Sequence, residues 1–176
     1  FKNLFVGDTA PANFIPAPAD GGTSLYNTVF AAGTTGRIGY VGPDVIPDLT
    51  DATRVARLRG LSPSEVNVGV TLESVLPPTG ADIADQTKWV PVFTNPSAGY
   101  PIAGYTNLII GQCYRSAPVT LQLRAFLSNH YNLGATGNND DAVRAHGFIP
   151  LPQNWREAVR TNLVDAASAN GLGNAT

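Results

Sequence analysis

Residues 100–113 read "YPIAGYTNLIIGQC", an apolar run that ends on the only cysteine in the chain. A run this apolar and this rich in β-branched residues implies a strand buried on both faces, and such strands occur in sheets covered by helices. That requirement directs the rest of the reading. Helical segments must supply the cover, and their periodicity has to be found around the run.

It is found on both sides. Asp20-Gly21-Gly22-Thr23-Ser24 begins a helix that continues through Leu25, Val29 and Phe30 to a stop at Gly33. Ser62-Pro63-Ser64-Glu65 reads as a capping box with Pro at the first helical position. Behind it Val68, Leu72, Val75 and Leu76 form one helical face, ended by Pro77-Pro78. A further helix starts near Ser116, with Val119, Leu123, Phe126 and Leu127 on one face and Gly134 beyond its end. A short helix follows, capped by Asn139 or Asp140, and a last one near Asn154 aligns Trp155, Val159, Leu163 and Ala166 or Ala167. Between these lie expected strands: a buried one around Ile38 and Val41, a half-wet one at 54–58, and "KWVPVF" at 88–93, which Pro91 assigns to an edge or bulge. Interleaved strands and helices make the expected class α/β.

Composition limits the chemistry. Only 14% of residues are charged, the net charge is −2, and the longest basic cluster is "RVARLR". A nucleic-acid partner would need a basic footprint, so that class is excluded. No stretch is apolar for long enough to be a membrane span. The 176 residues include no Met and open on "FKNLFVG", so a processed chain or a fragment is expected, and 18 Gly and 14 Pro with few charges suit a periplasmic or secreted location.

Catalytic groups are sparse. His130 and His146 fall near expected helix C-termini, where an imidazole suits the dipole. "NNDD" at 138–141 is explained better by a helix cap than by calcium, and no metal or cofactor is expected. No nucleophile-elbow, phosphate-loop, Cys-x-x-Cys or zinc-protease motif occurs. Cys113 has no neighbouring histidine in sequence and is expected to be buried or disulfide-bonded. Gly22, Thr23 and Ser24 offer amides and hydroxyls at a helix start, which suits either ordinary capping or an anion.

The order of segments carries a resemblance. "GRIGYVGPD", "DATRVARLRGLSPSEVNV", "WVPVF", "GYPIAGYTNLIIGQCY", "LRAFLSNHY" and "GFIPLPQNWREAVRTNL" together resemble the C-terminal half of Pst-type phosphate-binding proteins, and among them the DING proteins. The resemblance covers essentially the whole chain. It implies a periplasmic-binding-protein-like fold of type II, with inorganic phosphate trapped between two lobes for an ABC-type importer. Residues 1–45 would complete the second lobe and cross over. Residues 46–93 would form a lobe segment with the capped helix 62–76 and a hinge-proximal strand, and 94–176 would return to finish the first lobe.

The same resemblance implies that the phosphate ligands are a Ser/Thr cluster, an Asp, and an Arg shortly before Ser-Gly-Thr. No such Arg motif occurs here, since Gly33-Thr34-Thr35 has no upstream Arg at the right distance. The ligands are therefore expected upstream of Phe1, in an N-terminal half, leaving this chain as scaffold and hinge. Gly22, Thr23 and Ser24 remain the residues offered for a surface facing the phosphate. Cys113 is implied to pair with a cysteine that lies beyond "GLGNAT". A phosphatase or a secreted interaction protein, as attributed to some DING relatives, is the alternative reading.

Overall fold

A computed structural model describes residue 7, residues 9–134 and residues 136–174. The opening "FKNLFV" lies outside the described residues. Two compact units are present, Phe1–Pro47 and Asp48–Thr176.

The first unit is built on α1 (Gly22–Val29). Gly21 at φ 103° and ψ 159° occupies backbone space that side chains avoid, and this turns the Pro-rich approach into the helix. Leu25 and Val29 face Gly39, where an added Cβ would lie 2.8 Å from a Val29 methyl. The Tyr26 and Phe30 rings meet at 4.8 Å. Helix α1 ends at Val29 with Phe30 as its C-cap, short of the expected stop, and Gly33 at φ 75° lies in the turn that follows.

The second unit holds α2 (Glu65–Glu73), α3 (Ala117–His130), α4 (Asp140–Ala145) and α5 (Gln153–Val159). The last of these continues into a π-helical turn, Arg160–Val164, closed by Asp165 N–H donating to Arg160 O at 2.9 Å. The capping residue of α2 is Ser64 rather than Ser62; its hydroxyl accepts from Asn67 N–H. Helix α2 also stops at Glu73, so Leu76 projects into solvent at 74% exposure, and the expected face is carried by Leu72 and Thr71. Leu127, Val164 and Leu172 form a buried core, with Ile110, Leu123, Tyr131 and Val159 packed on it. The π turn shifts the register of the last helix, so that Val164, five residues after Val159, reaches this core in place of the expected Leu163. A second cluster joins Trp155 to Tyr105 at 5.7 Å and to Trp89 at 6.3 Å, with Phe93 against Tyr105 at 5.7 Å.

The α/β expectation is corrected. Among the described residues the regular structure is helical and no β-strand is present; one antiparallel bridge joins Leu58 and Leu61. Of the segments read as strands, 88–93 begins inside the 3-10 turn Gln86–Trp89, those around Ile38 and Val41 and at 100–113 lie outside helices, and no ladder forms along any of them. A strand exists only where a neighbour accepts and donates its backbone hydrogen bonds, and apolar content alone does not supply that neighbour. Residues 54–58 instead enter turns organised by Asp51, whose carboxylate accepts from the Thr53 amide and hydroxyl at 2.9 and 2.6 Å.

Burial is corrected with it. Ile109 is 100% exposed and Ile38 92%, and Ile102, Leu108 and Tyr40 are exposed too. Leaving one such side chain in water forgoes about 2 kcal/mol that burial would supply. Tyr105 and Ile110 are the members of the 100–113 run that reach inward.

Candidate functional site

The residues singled out at 22–24 sit on the first turn of α1. Leu25 N–H is the first amide to bond within the helix, to Gly21 O at 3.2 Å, so the preceding amides are free of helical partners. Gly22 is turned toward Val45, which a Cβ would approach to 3.2 Å. Thr23 and Ser24 face the other way, into an open cleft of about 650 Å³ that is also lined by Asp20, Asn27, Thr28 and Arg37. The Ser24 hydroxyl accepts from Ala19 N–H at 3.2 Å, holding the approach loop over the helix start. Arg37 donates from Nη1 to Thr28 O at 2.6 Å, toward the C-terminal end of α1, where a cation complements the exposed carbonyls.

The cleft therefore carries hydroxyls and a carboxylate at one end and a guanidinium at the other. Amide and hydroxyl donors suit an oxyanion, and Asp20 would disfavour one that had no proton to share. Asn27, Thr28 and Arg37 carry no mark of this cleft in the sequence. Nothing in their spacing marks them, because Arg37 reaches the helix from beyond a turn.

The remaining candidates are dispersed. His130 closes α3 and His146 caps α4, as their positions in the sequence imply. Burial, and then the positive charge of Arg156, hold the His130 imidazole below its ordinary pKa, while Asp140 acts in the opposite direction. Asn139 is the N-cap residue of α4, but the cap is made by Asn138, whose Oδ1 accepts from Asp140 N–H at 3.1 Å. Asp140 is the partner of a buried Arg156. Among the described residues no three His, Cys, Asp or Glu side chains are grouped to hold a metal ion.

Cys113 is exposed and is a free thiol in this structure, which corrects the expectation of burial. The C-terminal segment passes beside it: Gly173 N–H donates to Gln112 O at 2.7 Å. Asp48, Asp51 and Asp85 have lowered pKa values because each carboxylate accepts from the hydroxyl, and then the amide, of a Thr two residues on. These are turn-forming contacts at the surface. No helix among the described residues is long and apolar enough to cross a membrane.

Comparison with known proteins gives the chain a context. No family model matches it. It is 45% identical to alkaline phosphatase L of Pseudomonas aeruginosa, over 97% of this chain and 45% of that protein. A phosphate-binding protein from Stenotrophomonas maltophilia superimposes with a TM-score of 0.79 at 55% identity, over 98% of this chain and 47% of that one. PfluDING, a high-affinity periplasmic phosphate-binding protein solved with phosphate bound, gives 0.76 at 36% identity, over 96% of this chain and 49% of that one. The chain thus spans about half the length of the relatives it matches. Over about half of their length, this chain matches DING-type phosphate-binding proteins by sequence and by backbone.

Proposed function

We propose that this chain is the scaffold-and-hinge half of a two-lobed receptor that captures inorganic phosphate and hands it to an ABC-type importer. Its location is the periplasm or the secreted fraction. The observation that carries the reading is the match of 98% of the chain to 47% of a phosphate-binding protein. A physical observation points the same way: apolar extended segments at 101–111 and 37–41 stand in water, with Ile109 and Ile38 the most exposed. Such surface is costly to a free-standing protein and ordinary for one whose remainder covers it. In this reading an N-terminal half supplies both the cover and the main phosphate ligands. Thr23 and Ser24 then face the anion from this chain, Gly22 shapes the turn that presents them, and Cys113 pairs with a cysteine beyond "GLGNAT". The stretch 1–45 then completes the second lobe and crosses over, 46–93 forms a lobe segment around α2, and 94–176 returns to finish the first lobe.

Phosphatase activity is the second reading, favoured by the name of the Pseudomonas relative. The described residues contribute no metal cluster to such chemistry. Purification from the source with an antibody to this chain separates these accounts. Recovery within a longer or two-chain protein that binds phosphate in preference to sulfate, and does not turn over a phosphomonoester, is the expected result. A monodisperse species of 18.4 kDa, stable alone, would contradict it.

A further inference from the structure

The junction of α3 and α4 contains a titratable group wired to act as an acceptor. Asn129 donates from Nδ2 to Asn139 Oδ1 at 3.4 Å, which orients the Asn139 carboxamide. Its Nδ2 then points at His130 Nδ1, 3.3 Å away, so the histidine accepts there and carries its proton on Nε2. The ring is fixed on its faces and edge: it stacks on Phe126 at 5.8 Å and meets Tyr131 edge-on at 4.8 Å. The positive charge of the Arg156 guanidinium acts on it; that group is held by Asp140 at 2.7 Å and by the carbonyls of Leu151 and Asn132 at 2.7 and 3.1 Å. Arg160, from the π turn, is occupied by Ser128 O at 2.7 Å.

We propose that His130 is an acid-sensitive latch between α3 and α4: a proton on Nδ1 removes the acceptor for Asn139 and loosens the start of α4. A protonated ring has only donors, so Asn139 must either leave or flip and abandon Asn129. The imidazolium would also stand near Arg156, while the Asp140 carboxylate that offsets this repulsion is already engaged by that same guanidinium. Tyr131 is neutral through this range, burial having raised its pKa. The latch concerns the second unit alone and does not depend on where phosphate binds.

Nuclear magnetic resonance of the full chain, with the ring nitrogens labelled, reads the tautomer and the titration of His130 directly. The expected result is the Nε2–H tautomer, a pKa below the ordinary value of about 6.5, and faster amide exchange in α4 at pH 5 than at pH 7.5 after correction for intrinsic rates. Asn139→Asp is expected to shift the His130 pKa upward from wild type and to reverse the pH dependence of α4 exchange. His130→Phe, which keeps the stack on Phe126, is expected to abolish that dependence. A pKa at or above 6.5, the Nδ1–H tautomer, or α4 exchange indifferent to pH would each overturn the proposal.

Discussion

Arg156 and Asp140 form a largely shielded ion pair in which one guanidinium nitrogen lies 2.7 and 2.8 Å from the two carboxylate oxygens. Arg156 is 7% exposed and spends its other donors on the Leu151 and Asn132 carbonyls, so α4, α5 and the loop between α3 and α4 converge on one side chain. Removing the carboxylate strands a buried charge. Asp140→Ala should cost about 3 kcal/mol, and Arg156→Met should be better tolerated than Arg156→Ala because it preserves packing volume. Urea denaturation of the three variants measures this order.

Gly99 and Thr71 make the tightest backbone approach to α2. Gly99 has φ 79°, and a Cβ there would lie 2.4 Å from the Thr71 hydroxyl oxygen and 2.7 Å from Asn67 O. The Thr71 hydroxyl, fully buried, donates to Tyr100 O at 2.7 Å, and Tyr100 N–H donates to Asn67 O at 2.9 Å. Gly99→Ala therefore combines left-handed strain with a clash against α2. A loss of about 2 kcal/mol or more is expected, read as a lower midpoint of thermal unfolding. Thr71→Val should lose less, about 1 kcal/mol, since it removes one hydrogen bond and keeps the shape.

These two positions show what the sequence could and could not convey. Helices α1 and α3 and the start of α5 are legible because a one-sided apolar spacing is a local signal, although none of the three makes a side-chain cap hydrogen bond. The box at 62–65 was legible as a cap, but two serines competed for the role and the second took it. Thr71 and Arg156 look like surface residues by type, and only long-range partners 29 and 16 positions away in sequence make them buried. The run at 100–113 misled in the opposite sense. Its apolar content was read as burial, yet backbone pairing depends on a neighbour that no local pattern encodes, and Ile109 stands in solvent. Of the cleft, Thr23 and Ser24 were visible as helix-start residues, whereas Arg37 arrives through tertiary structure.

Tyr105 gives the second unit a signature at high pH. Burial, and then the negative charge of Glu73, push its pKa well above the ordinary value of 10.0. The folded state then holds a proton that the unfolded state releases, so the stabilisation is complete below about pH 10 and is lost as pH rises from there toward the folded pKa. Stability to urea should fall between pH 9 and pH 11.5, and Tyr105→Phe should remove this part of the decline. Ultraviolet titration should show the phenol ionising together with unfolding rather than before it.

Trp155 links α5 to the end of α2, its indole N–H donating to Val75 O at 2.8 Å while its ring packs on Tyr105 and Trp89. Trp155→Phe leaves that carbonyl without its donor and opens space beside Tyr105. The expected cost is about 2 kcal/mol, checked by calorimetry, with Trp89 left as the sole tryptophan to report unfolding. Trp89→Phe should cost less, because Trp89 is no part of the buried set that contains Trp155.

In the proposed reading, this chain shapes a phosphate receptor without holding the main ligands itself. Equilibrium dialysis of labelled phosphate against the 176-residue chain, with sulfate as competitor, tests it most directly. The account predicts no retained phosphate for this chain alone, and sulfate-resistant retention once the remainder of the receptor is present. Tight, sulfate-resistant binding by these residues alone, abolished by Thr23→Ala and Ser24→Ala, would contradict it and make the α1 cleft the anion site.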